Sequence, residues 1–275
     1  MRNKITENSL MNMRKYLAKN ETLRKILLPI IKHINFELRF KHNITKRNLY
    51  LLSFLHKGYW YYGSQREEHE INRFKELINI GDNVLEIGAH IGYVTQVFEE
   101  LVGEKGAVIA VEPTPFNLRF LYKNISPNTK VMQLAASEIE GKMDFYTEKF
   151  GGFTNSLISE FTEENNKFHI ASQKQKSSDI QKIEVDVSTI DLICKNNLFT
   201  PSFIKIDVEG AELNVLKGAV NTLKTTRALM VEINRNVEEI YDLLLHYNFI
   251  AFDSKGNEIF DNKQRGNIFF IAKVI

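Results

Sequence analysis

The stretch VLEIGAHIGYVT, residues 84–95, joins an apolar run to two glycines and then to a helical pattern. The apolar run predicts a short buried strand, and Val97 and Phe98 predict the inner face of the helix that follows. Gly88 and Gly92 therefore lie in the turn between strand and helix. In open α/β sheets, ligands bind beyond the carboxyl ends of the strands, so this turn is the first candidate for a binding site.

The same alternation of strand and helix continues along the chain. Short apolar runs that predict strands lie at residues 83–88, 107–112, 130–135, 204–208 and 228–233. Thr114 suits a helix N-cap and Pro115 the first helical position, so a helix is predicted after the second run. The last two runs, 249–254 and 267–274, predict an antiparallel hairpin. Continuous apolar strands between amphipathic helices indicate an α/β fold, with a mostly parallel sheet covered on both faces.

Two segments break this alternation. Residues 147–182 are polar and rich in Lys, Ser, Gln and Glu, and they fit either a surface excursion or a lid that faces a substrate. Residues 1–65 predict a basic, mainly helical extension ahead of a binding domain at 66–275. Residues 1–50 hold twelve Lys and Arg against three acids, in a chain whose net charge is +2. Such an arm is either a solvated extension or a contact for an anionic membrane surface or another polyanion.

The composition excludes several classes of protein. Cys194 is the one cysteine, so the chain forms no internal disulfide, which is in keeping with a reducing cytoplasm. No apolar run reaches the length of a transmembrane helix, and the N-terminal residues lack the apolar core of a signal peptide. The histidines and the cysteine show none of the spacings typical of metal ligands. The sequence therefore predicts a cytoplasmic location and no dedicated metal site, although metal assistance by the clustered carboxylates stays open.

The glycine turn also discriminates between cofactors. A dinucleotide loop reads G-x-G-x-x-G and holds a pyrophosphate against the helix N-terminus, whereas His90 fills the middle position here and would crowd that group. S-adenosylmethionine has no phosphate, but it needs acceptors for its ammonium and its ribose hydroxyls. Glu86 is placed to face the methionine end and Glu112, at the tip of the second strand, to face the ribose. An acid at the position of Glu112 suits NAD equally well, so only the glycine turn distinguishes S-adenosylmethionine from a dinucleotide.

Five segments occur in an order that one family of methyltransferases shares. They are GDNVLEIGAHIGYVT (81–95), VEPTPFN (111–117), NSL (155–157), IKIDVEGAELNVLKGA (204–219) and VEIN (231–234). The chain resembles the FkbM family of S-adenosylmethionine-dependent methyltransferases over residues 70–275. His90 is a departure, because the family more often has asparagine there. The resemblance implies a Rossmann-like class I methyltransferase fold, with a mostly parallel seven-stranded sheet and an antiparallel C-terminal strand.

The resemblance also implies a reaction and a set of contacts. The reaction is methyl transfer to a hydroxyl oxygen of a sugar, a glycan or a natural product. The cofactor S-adenosyl-L-methionine would contact Glu86, Gly88, Ala89, His90, Gly92 and Glu112, with its adenine near Pro113, Ala136 and Ser137. Asn155 and Ser156 of the NSL segment would line the site.

Methyl transfer from a sulfonium needs an aligned acceptor oxygen and a group that takes its proton. Asp207 and Glu209, at the tip of the fourth strand, are the candidates for that catalytic base. Both precede a predicted helix, whose dipole favours the ionised form and weakens a carboxylate as a base. The two acids therefore fit either a base or a group that binds a substrate hydroxyl or the cofactor. Glu212, on the helix itself, is predicted to be a surface or helix-capping acid.

Lys205 is unusual because it lies within a strand that should be central, where an unpaired charge is unfavourable. The neighbouring strand should be the fifth one, which carries Glu232. We therefore hypothesise an ion pair between Lys205 and Glu232 at the border of the site. The alternative is that Lys205 extends to the edge of the sheet and reaches water.

Two other functions fit parts of the sequence. The basic arm suggests a nucleic-acid methyltransferase, but the fourth strand ends in DVEG (207–210), where enzymes that methylate exocyclic amines usually carry an Asn/Asp-Pro-Pro-aromatic motif. DVEG provides no aromatic ring to stack on a flipped base, so ribose methylation stays open and no specific nucleic acid is expected. A nicotinamide-dependent oxidoreductase is disfavoured by His90 in the glycine turn.

Overall fold

The computed structural model describes residues 35–61, 67–148, 155–158 and 180–273. The chain divides into two compact units, residues 1–68 and 69–275. The described part of the first unit consists of an antiparallel hairpin and a short helix. These are β1 (Glu37–Lys41), β2 (Asn48–Leu52) and α1 (Lys57–Tyr61).

The hairpin corrects the prediction of a mainly helical extension for residues 37–52. Alternate side chains of β1 are buried, Leu38 and Phe40 among them, which is the period of a half-buried strand. In the turn, the Nδ1 atom of His42 accepts hydrogen bonds from the N–H groups of Ile44 (3.1 Å) and Thr45 (3.3 Å). Most basic residues of the arm lie outside the described residues, so its contact with a polyanion stays a prediction.

The second unit is built on a seven-stranded sheet. Its strands are β3 (Asn83–Ile87), β4 (Ala107–Val111), β5 (Lys130–Met132), β9 (Phe203–Ile206), β10 (Ala228–Ile233), β11 (Phe249–Phe252) and β12 (Gly266–Ala272). They lie in the order β11-β12-β10-β9-β3-β4-β5. All neighbours from β10 to β5 are parallel, whereas β12 is antiparallel to both β10 and β11. The predicted fold is therefore confirmed: a mostly parallel sheet closed by an antiparallel C-terminal strand.

The strand order places the candidate site. β3 is central and pairs with β4 on one side and with β9 on the other, so that Glu86 lies opposite Ala110 and Lys205. The chain runs outward from β3 through β4 to β5 and later returns to the other side of β3 as β9. The strand order thus reverses between β3 and β9, and the crevice at their carboxyl ends is the favoured place for a ligand.

Helices connect the strands and cover the sheet. They are α2 (Glu68–Leu77), α3 (Tyr93–Val102), α4 (Pro115–Asn124), α5 (Ile190–Asn196), α6 (Glu212–Lys217) and α7 (Val237–His246), with a 3-10 turn at Thr222–Lys224. As predicted, α4 has Thr114 at its N-cap and Pro115 in its first turn. On α7, Ile240, Tyr241 and Leu244 are fully buried in the main core. Among the helices of the described ranges, none has the length and apolar character needed to cross a membrane.

A second sheet, of three strands, was not predicted. Its strands are β6 (Ala135–Ala136), β7 (Gly141–Glu148) and β8 (Ile180–Ser188), in the order β6-β8-β7. β7 and β8 form an antiparallel ribbon with exposed ion pairs between Lys142 and Glu184 (2.9 Å) and between Lys182 and Asp144 (2.8 Å). The outer face of this ribbon is not covered by a core and carries charged residues. The apolar run that would predict a buried strand is therefore absent from its sequence.

The second sheet changes how two sequence segments are interpreted. The predicted strand 130–135 is divided, since its first half is β5 of the main sheet and its end begins β6. The polar segment 147–182 contributes its two ends to the β7–β8 ribbon. Between those ends the structure describes residues 155–158, where Ser156 pairs with Tyr146.

Candidate active site at the carboxyl ends of the strands

The turn after β3 is held against two neighbouring strand ends. The N–H groups of Gly88 and Ala89 both donate to the carbonyl oxygen of Val111 at 3.0 Å. On the other side, the N–H group of Asp207 donates to the carbonyl oxygen of Ile87 at 3.1 Å. Gly88 has a φ of 86°, and a Cβ atom there would lie 1.9 Å from the carbonyl oxygen of Asp207. Both the backbone conformation and this close approach therefore require glycine.

The turn ends at Gly92, which is the N-cap residue of α3 and has a φ of 84°. A Cβ atom at Gly92 would lie 2.8 Å from Cδ1 of Leu121 and 3.1 Å from Cγ2 of Ile125, so α4 packs closely against the turn. His90, between the two glycines, has a left-handed φ of 50°. Histidine and asparagine adopt this conformation more readily than most other residues, which explains how His90 can replace the asparagine that is more common in the family.

Glu86 is a buried acid on the central strand, with 1% of its surface exposed. Its Oε2 atom accepts a hydrogen bond of 2.6 Å from the hydroxyl of Thr95, on α3. A buried carboxylate is stable only when such donors satisfy it. Thr95 is the last residue of the stretch 84–95, but its contact with Glu86 depends on how the turn folds back, which the spacing alone does not show.

Glu112 is held by four donors, all of them neutral. Oε2 accepts from the N–H group of His90 at 3.0 Å. Oε1 accepts from the N–H group (3.0 Å) and the hydroxyl (2.5 Å) of Thr114 and from Nδ2 of Asn117 (3.1 Å). Burial raises the pKa of Glu112, and these hydrogen bonds oppose that rise. Thr114 thus donates to the acid instead of capping α4 with its side chain, and Asn117 is a partner that the sequence analysis missed although it lies in the VEPTPFN segment.

The residues predicted to surround the adenine fall into two places. Pro113 is buried and directly follows Glu112. Ala136 and Ser137 are also buried, and they lie at the end of β6, where the N–H group of Ser137 donates to the carbonyl oxygen of Ser188 at 3.0 Å. Their predicted position at the end of the third strand is therefore replaced by one in the second sheet, and contact with adenine stays a prediction.

Three acids from two strand ends come together on the other side of the turn. One carboxylate oxygen from each of Asp207, Glu209 and Glu232 lies within 4.8 Å of the other two. The sequence predicted no dedicated metal site, but these oxygens are close enough to share one ion, an arrangement that exposed acids also adopt without an ion. The convergence of Asp207 and Glu209 with Glu232 follows from the pairing of β9 with β10.

Lys205 lies beside this acidic cluster and is 5% exposed. Its Nζ atom forms an ion pair of 2.9 Å with Oδ2 of Asp207 and donates to the carbonyl oxygen of Gly88 at 3.4 Å. We hypothesised Glu232 as the partner, whereas the ion pair that the structure shows is with Asp207, the residue that directly follows β9. Side chains two residues apart along an extended backbone point to the same face, which accounts for the pair. The positive charge of Lys205 also acts on Glu232, where it only partly opposes a rise in the pKa of that carboxyl group.

Asp207 and Glu232 have opposite protonation tendencies. Burial alone would raise the pKa of Asp207, but the charge of Lys205 and hydrogen bonds with Glu232 and Lys205 lower it to about 2. The negative charge of Asp207, followed by burial and the hydrogen bond between the two carboxyl groups, raises the pKa of Glu232 to about 11. Glu232 therefore carries a proton at neutral pH and donates it in a hydrogen bond to ionised Asp207.

The turn after β9 carries the third acid in a strained backbone. Glu209 has a left-handed φ of 56°, and Gly210 follows with a φ of 95°. The N–H group of Gly210 donates to Oε1 of Glu212 at 2.8 Å. Glu212 is fully buried, so of the two predicted roles, a surface acid or a helix-capping acid, the first is wrong, and burial raises its pKa to about 7. Its Oε2 atom has no hydrogen-bond partner among the described residues.

The NSL segment reaches the same turn from the second sheet. The hydroxyl of Ser156 donates to the carbonyl oxygen of Glu209 at 2.7 Å. Ser156 is fully buried, and Asn155 directly precedes it. The predicted site-lining position of Ser156 is thus beside the Glu209 backbone, and no sequence pattern shows that contact in advance.

The site has the elements of a methyltransferase: a glycine turn without phosphate-binding spacing, an acid at the next strand end and an acidic cluster across the turn. The chain belongs to the family defined by the methyltransferase FkbM domain, whose model matches residues 86–251, more than half of the chain. S-adenosylmethionine is therefore the expected cofactor. The model for protein-L-isoaspartate(D-aspartate) O-methyltransferase also matches residues 10–145.

Individual relatives resemble the chain at low identity. The hexuronic acid methyltransferase AglP of Haloferax volcanii is 27% identical over 62% of this chain and 64% of its own length, so this chain spans less than two thirds of that relative. The 2-O-methyltransferase NoeI of Sinorhizobium fredii is 25% identical over 64% of this chain and 76% of its own length. Precorrin-6y C5,15-methyltransferase of Geobacter metallireducens, a solved structure, is 11% identical over 76% of this chain and 88% of that chain, with a TM-score of 0.41.

Proposed function

We propose that this chain is an S-adenosylmethionine-dependent O-methyltransferase whose acceptor is a hydroxyl group of a sugar, a glycan or a natural product. The family supports methyl transfer. One relative is named a hexuronic acid methyltransferase, which supports a sugar acid as the acceptor. Another is named a 2-O-methyltransferase, which supports an oxygen atom as the methylated atom. The observation that carries the proposal is the convergence of Asp207, Glu209 and Glu232 beside the glycine turn, because an oxygen acceptor has to lose a proton.

The cofactor fits the side of the site formed by the ends of β3 and β4. A Cβ atom at Gly88 would fill the space against Asp207, and Glu112 provides a carboxylate that neutral groups hold in place. Glu86, Gly88, Ala89, His90, Gly92 and Glu112 would hold the cofactor, with Pro113, Ala136 and Ser137 at the adenine. When bound, S-adenosylmethionine supplies an activated methyl group.

The chain's own task is to orient the acceptor hydroxyl and to remove its proton. We assign the proton acceptor to Glu209. Asp207 is a weak base because its pKa is lowered to about 2, and Glu232 already holds a proton at neutral pH. Asp207, kept ionised by Lys205, would instead accept a hydrogen bond from the acceptor and position it.

The cofactor is tested first, by the thermal stabilisation that a bound ligand confers on the folded chain. S-adenosylmethionine and S-adenosylhomocysteine should raise the melting temperature, whereas NAD and NADP should not. Stabilisation by NAD in the absence of any effect of the two sulfur compounds would overturn the proposal.

The catalytic assignment is tested by methyl transfer to a panel of uronic acids, neutral sugars and ribose oligonucleotides. Glu209→Gln should lower turnover about a hundredfold or more, with the affinity for S-adenosylmethionine retained. Glu239→Gln removes an exposed acid of α7 and is the matched control. Full turnover of Glu209→Gln would remove the proton-acceptor role. Loss of activity with a chelator, restored by a divalent cation, would assign the three carboxylates to an ion instead.

A further inference from the structure

The described residues 155–158 form a short strap on the β7–β8 ribbon. The N–H group of Tyr146 donates to the carbonyl oxygen of Ser156 at 2.8 Å, and the N–H group of Ser156 returns a bond of 3.0 Å to Tyr146. This pair of bonds is an antiparallel bridge to β7. Ser156 is fully buried, so its backbone position is set by the ribbon and its side chain is not free to reach water.

The hydroxyl of Ser156 has a defined direction. Its oxygen accepts a hydrogen bond of 3.0 Å from the N–H group of Ile158, which occupies one lone pair. The hydroxyl hydrogen is then directed at the carbonyl oxygen of Glu209, 2.7 Å away. One side chain therefore links a strap of the second sheet to the turn that follows β9 of the main sheet.

The turn that receives this bond needs external support. Glu209 is not a glycine but has a φ of 56°, a conformation that non-glycine residues adopt only where their surroundings hold it. The same residue contributes a carboxylate oxygen to the cluster with Asp207 and Glu232. A hydrogen bond that fixes the Glu209 carbonyl group therefore also fixes the direction in which the Glu209 side chain leaves the backbone.

We propose that Ser156 is a positioning residue, whose hydroxyl holds the Glu209 turn and so keeps the Glu209 carboxylate aligned with the acceptor oxygen. This inference rests on the proposed function, in which Glu209 takes the acceptor's proton. It also makes the β7–β8 ribbon part of the catalytic apparatus, because any shift of the ribbon at Tyr146 is passed through Ser156 to Glu209. The cofactor-binding residues of β3 and β4 lie outside this link, so cofactor affinity should not depend on it.

The test compares Ser156→Ala with a variant that loses a similar buried bond elsewhere. Thr226 is buried, and its hydroxyl donates to the carbonyl oxygen of Thr222 at 2.9 Å, so Thr226→Val is the matched control. Ser156→Ala should lower kcat about tenfold, with KM for the acceptor and Kd for S-adenosylmethionine changed less than about threefold. Thr226→Val should lose comparable stability in urea unfolding but keep kcat. Ser156→Thr, which retains a hydroxyl, should recover most of the lost kcat.

A double-mutant cycle separates this inference from the proposed function. Measured by single turnover with labelled S-adenosylmethionine, Ser156→Ala should have little further effect in the Glu209→Gln background, because Ser156 acts through Glu209. Equal losses in both backgrounds, or a kcat of Ser156→Ala no lower than that of Thr226→Val, would overturn the positioning role alone. Full turnover of Glu209→Gln itself would overturn the proton-acceptor assignment and the role of Ser156 with it.

Discussion

The ends of β4 and β9 carry acids in equivalent places but in opposite electrostatic surroundings. Both strands flank β3, and Glu112 and Asp207 each follow the last residue of a buried parallel strand. Glu112 accepts hydrogen bonds from backbone N–H groups, a hydroxyl and an amide. Asp207 instead forms an ion pair with Lys205 at 2.9 Å.

The consequence is a difference in how each acid can act. Burial raises the pKa of Glu112, whereas Lys205 and Glu232 outweigh burial and lower the pKa of Asp207 to about 2. Neutral donors hold Glu112 without a positive charge beside it, which supports the ribose-binding role that we propose for it, while the ammonium beside Asp207 makes that acid a poor proton acceptor. Position in the sheet brings an acid to the site, but its neighbours decide what it does there.

The largest expected effect is at Gly88, which separates the two strand ends. Gly88→Ala would place a Cβ atom 1.9 Å from the carbonyl oxygen of Asp207, and we expect a loss of more than about 4 kcal/mol of unfolding free energy in urea, or failure to fold. Gly266→Ala is the control, because Gly266 has a similar φ of 92° and nothing within 4 Å of an added Cβ. It should lose only about 1–2 kcal/mol, the contribution of backbone strain. Equal losses in the two variants would mean that the close approach of residue 88 to the Asp207 carbonyl oxygen does not cause the loss of stability.

The second effect concerns the ion pair that distinguishes the β9 end. Lys205→Met leaves Asp207 without its ammonium and should lower the free energy of unfolding at pH 7 by about 3 kcal/mol. A lowered carboxyl pKa stabilises the fold above the unfolded value of 3.8, and that contribution is lost as the pH falls towards about 2, so the loss should be present at pH 7 and small near pH 2.

Lys142→Met is the matched control for this experiment. Its pair with Glu184 has the same length, 2.9 Å, but both side chains are more than half exposed. Water and salt screen exposed pairs of this kind, so the control should be nearly neutral. A loss of the same size in both variants would show that burial does not set the strength of the Lys205 pair.

The third effect is the pH dependence of stability contributed by Glu212, a buried acid close to the end of β9. Burial raises the pKa of Glu212 from 4.5 to about 7, so the folded chain binds a proton that the unfolded chain releases between these values. The stability contributed by this group is therefore present at low pH and falls as the pH rises through 7. The stability of Glu212→Gln relative to the unchanged chain should rise by an amount of the order of 3 kcal/mol between pH 4 and pH 8. A difference that stays constant over this range in urea unfolding would contradict the buried acid.

The smallest expected effect is at the β4 end, and it is on binding. Glu112→Gln should raise the Kd for S-adenosylmethionine about ten- to thirtyfold in calorimetry. The reason is that loss of a hydrogen bond to a charged carboxylate costs about 1.5–2 kcal/mol of binding free energy. Glu99→Gln is the control: Glu99 also accepts from neutral donors, the N–H group of Ser126 and the hydroxyl of Thr129, but on α3. Unchanged affinity in Glu112→Gln would remove the ribose-binding role.

The main sheet could be predicted because its strands are buried on both faces. β3, β4, β9 and β10 therefore appear as continuous apolar runs with turn residues between them. The hairpin at residues 37–52 was missed because the exposed face of β1 carries charged residues. The β7–β8 ribbon was missed because its exposed face is also charged and a long polar stretch of sequence separates its two strands. Strand pairs of this kind depend on cross-strand contacts more than on local preference.

The candidate site divides in the same way. The sequence placed Asp207 and Glu209 at the end of the fourth strand and Glu232 at the border of the same site, since parallel strands end at one edge of the sheet, and the structure brings the three acids together. The partner of Lys205 and the burial of Glu212 were not, because each depends on the direction of a side chain in the folded chain.

By itself, the sequence determined the order of strands and helices in the main sheet, the two glycines of the turn and the set of acids at the strand ends. These features follow from apolar periodicity and from local steric limits, which act over a few residues. Only the tertiary structure decided that Asp207 stays ionised, that Glu232 holds a proton and that Ser156 contacts Glu209. Protonation and hydrogen bonding depend on charges and donors within a few ångströms, and folding brings those groups together from separate parts of the chain.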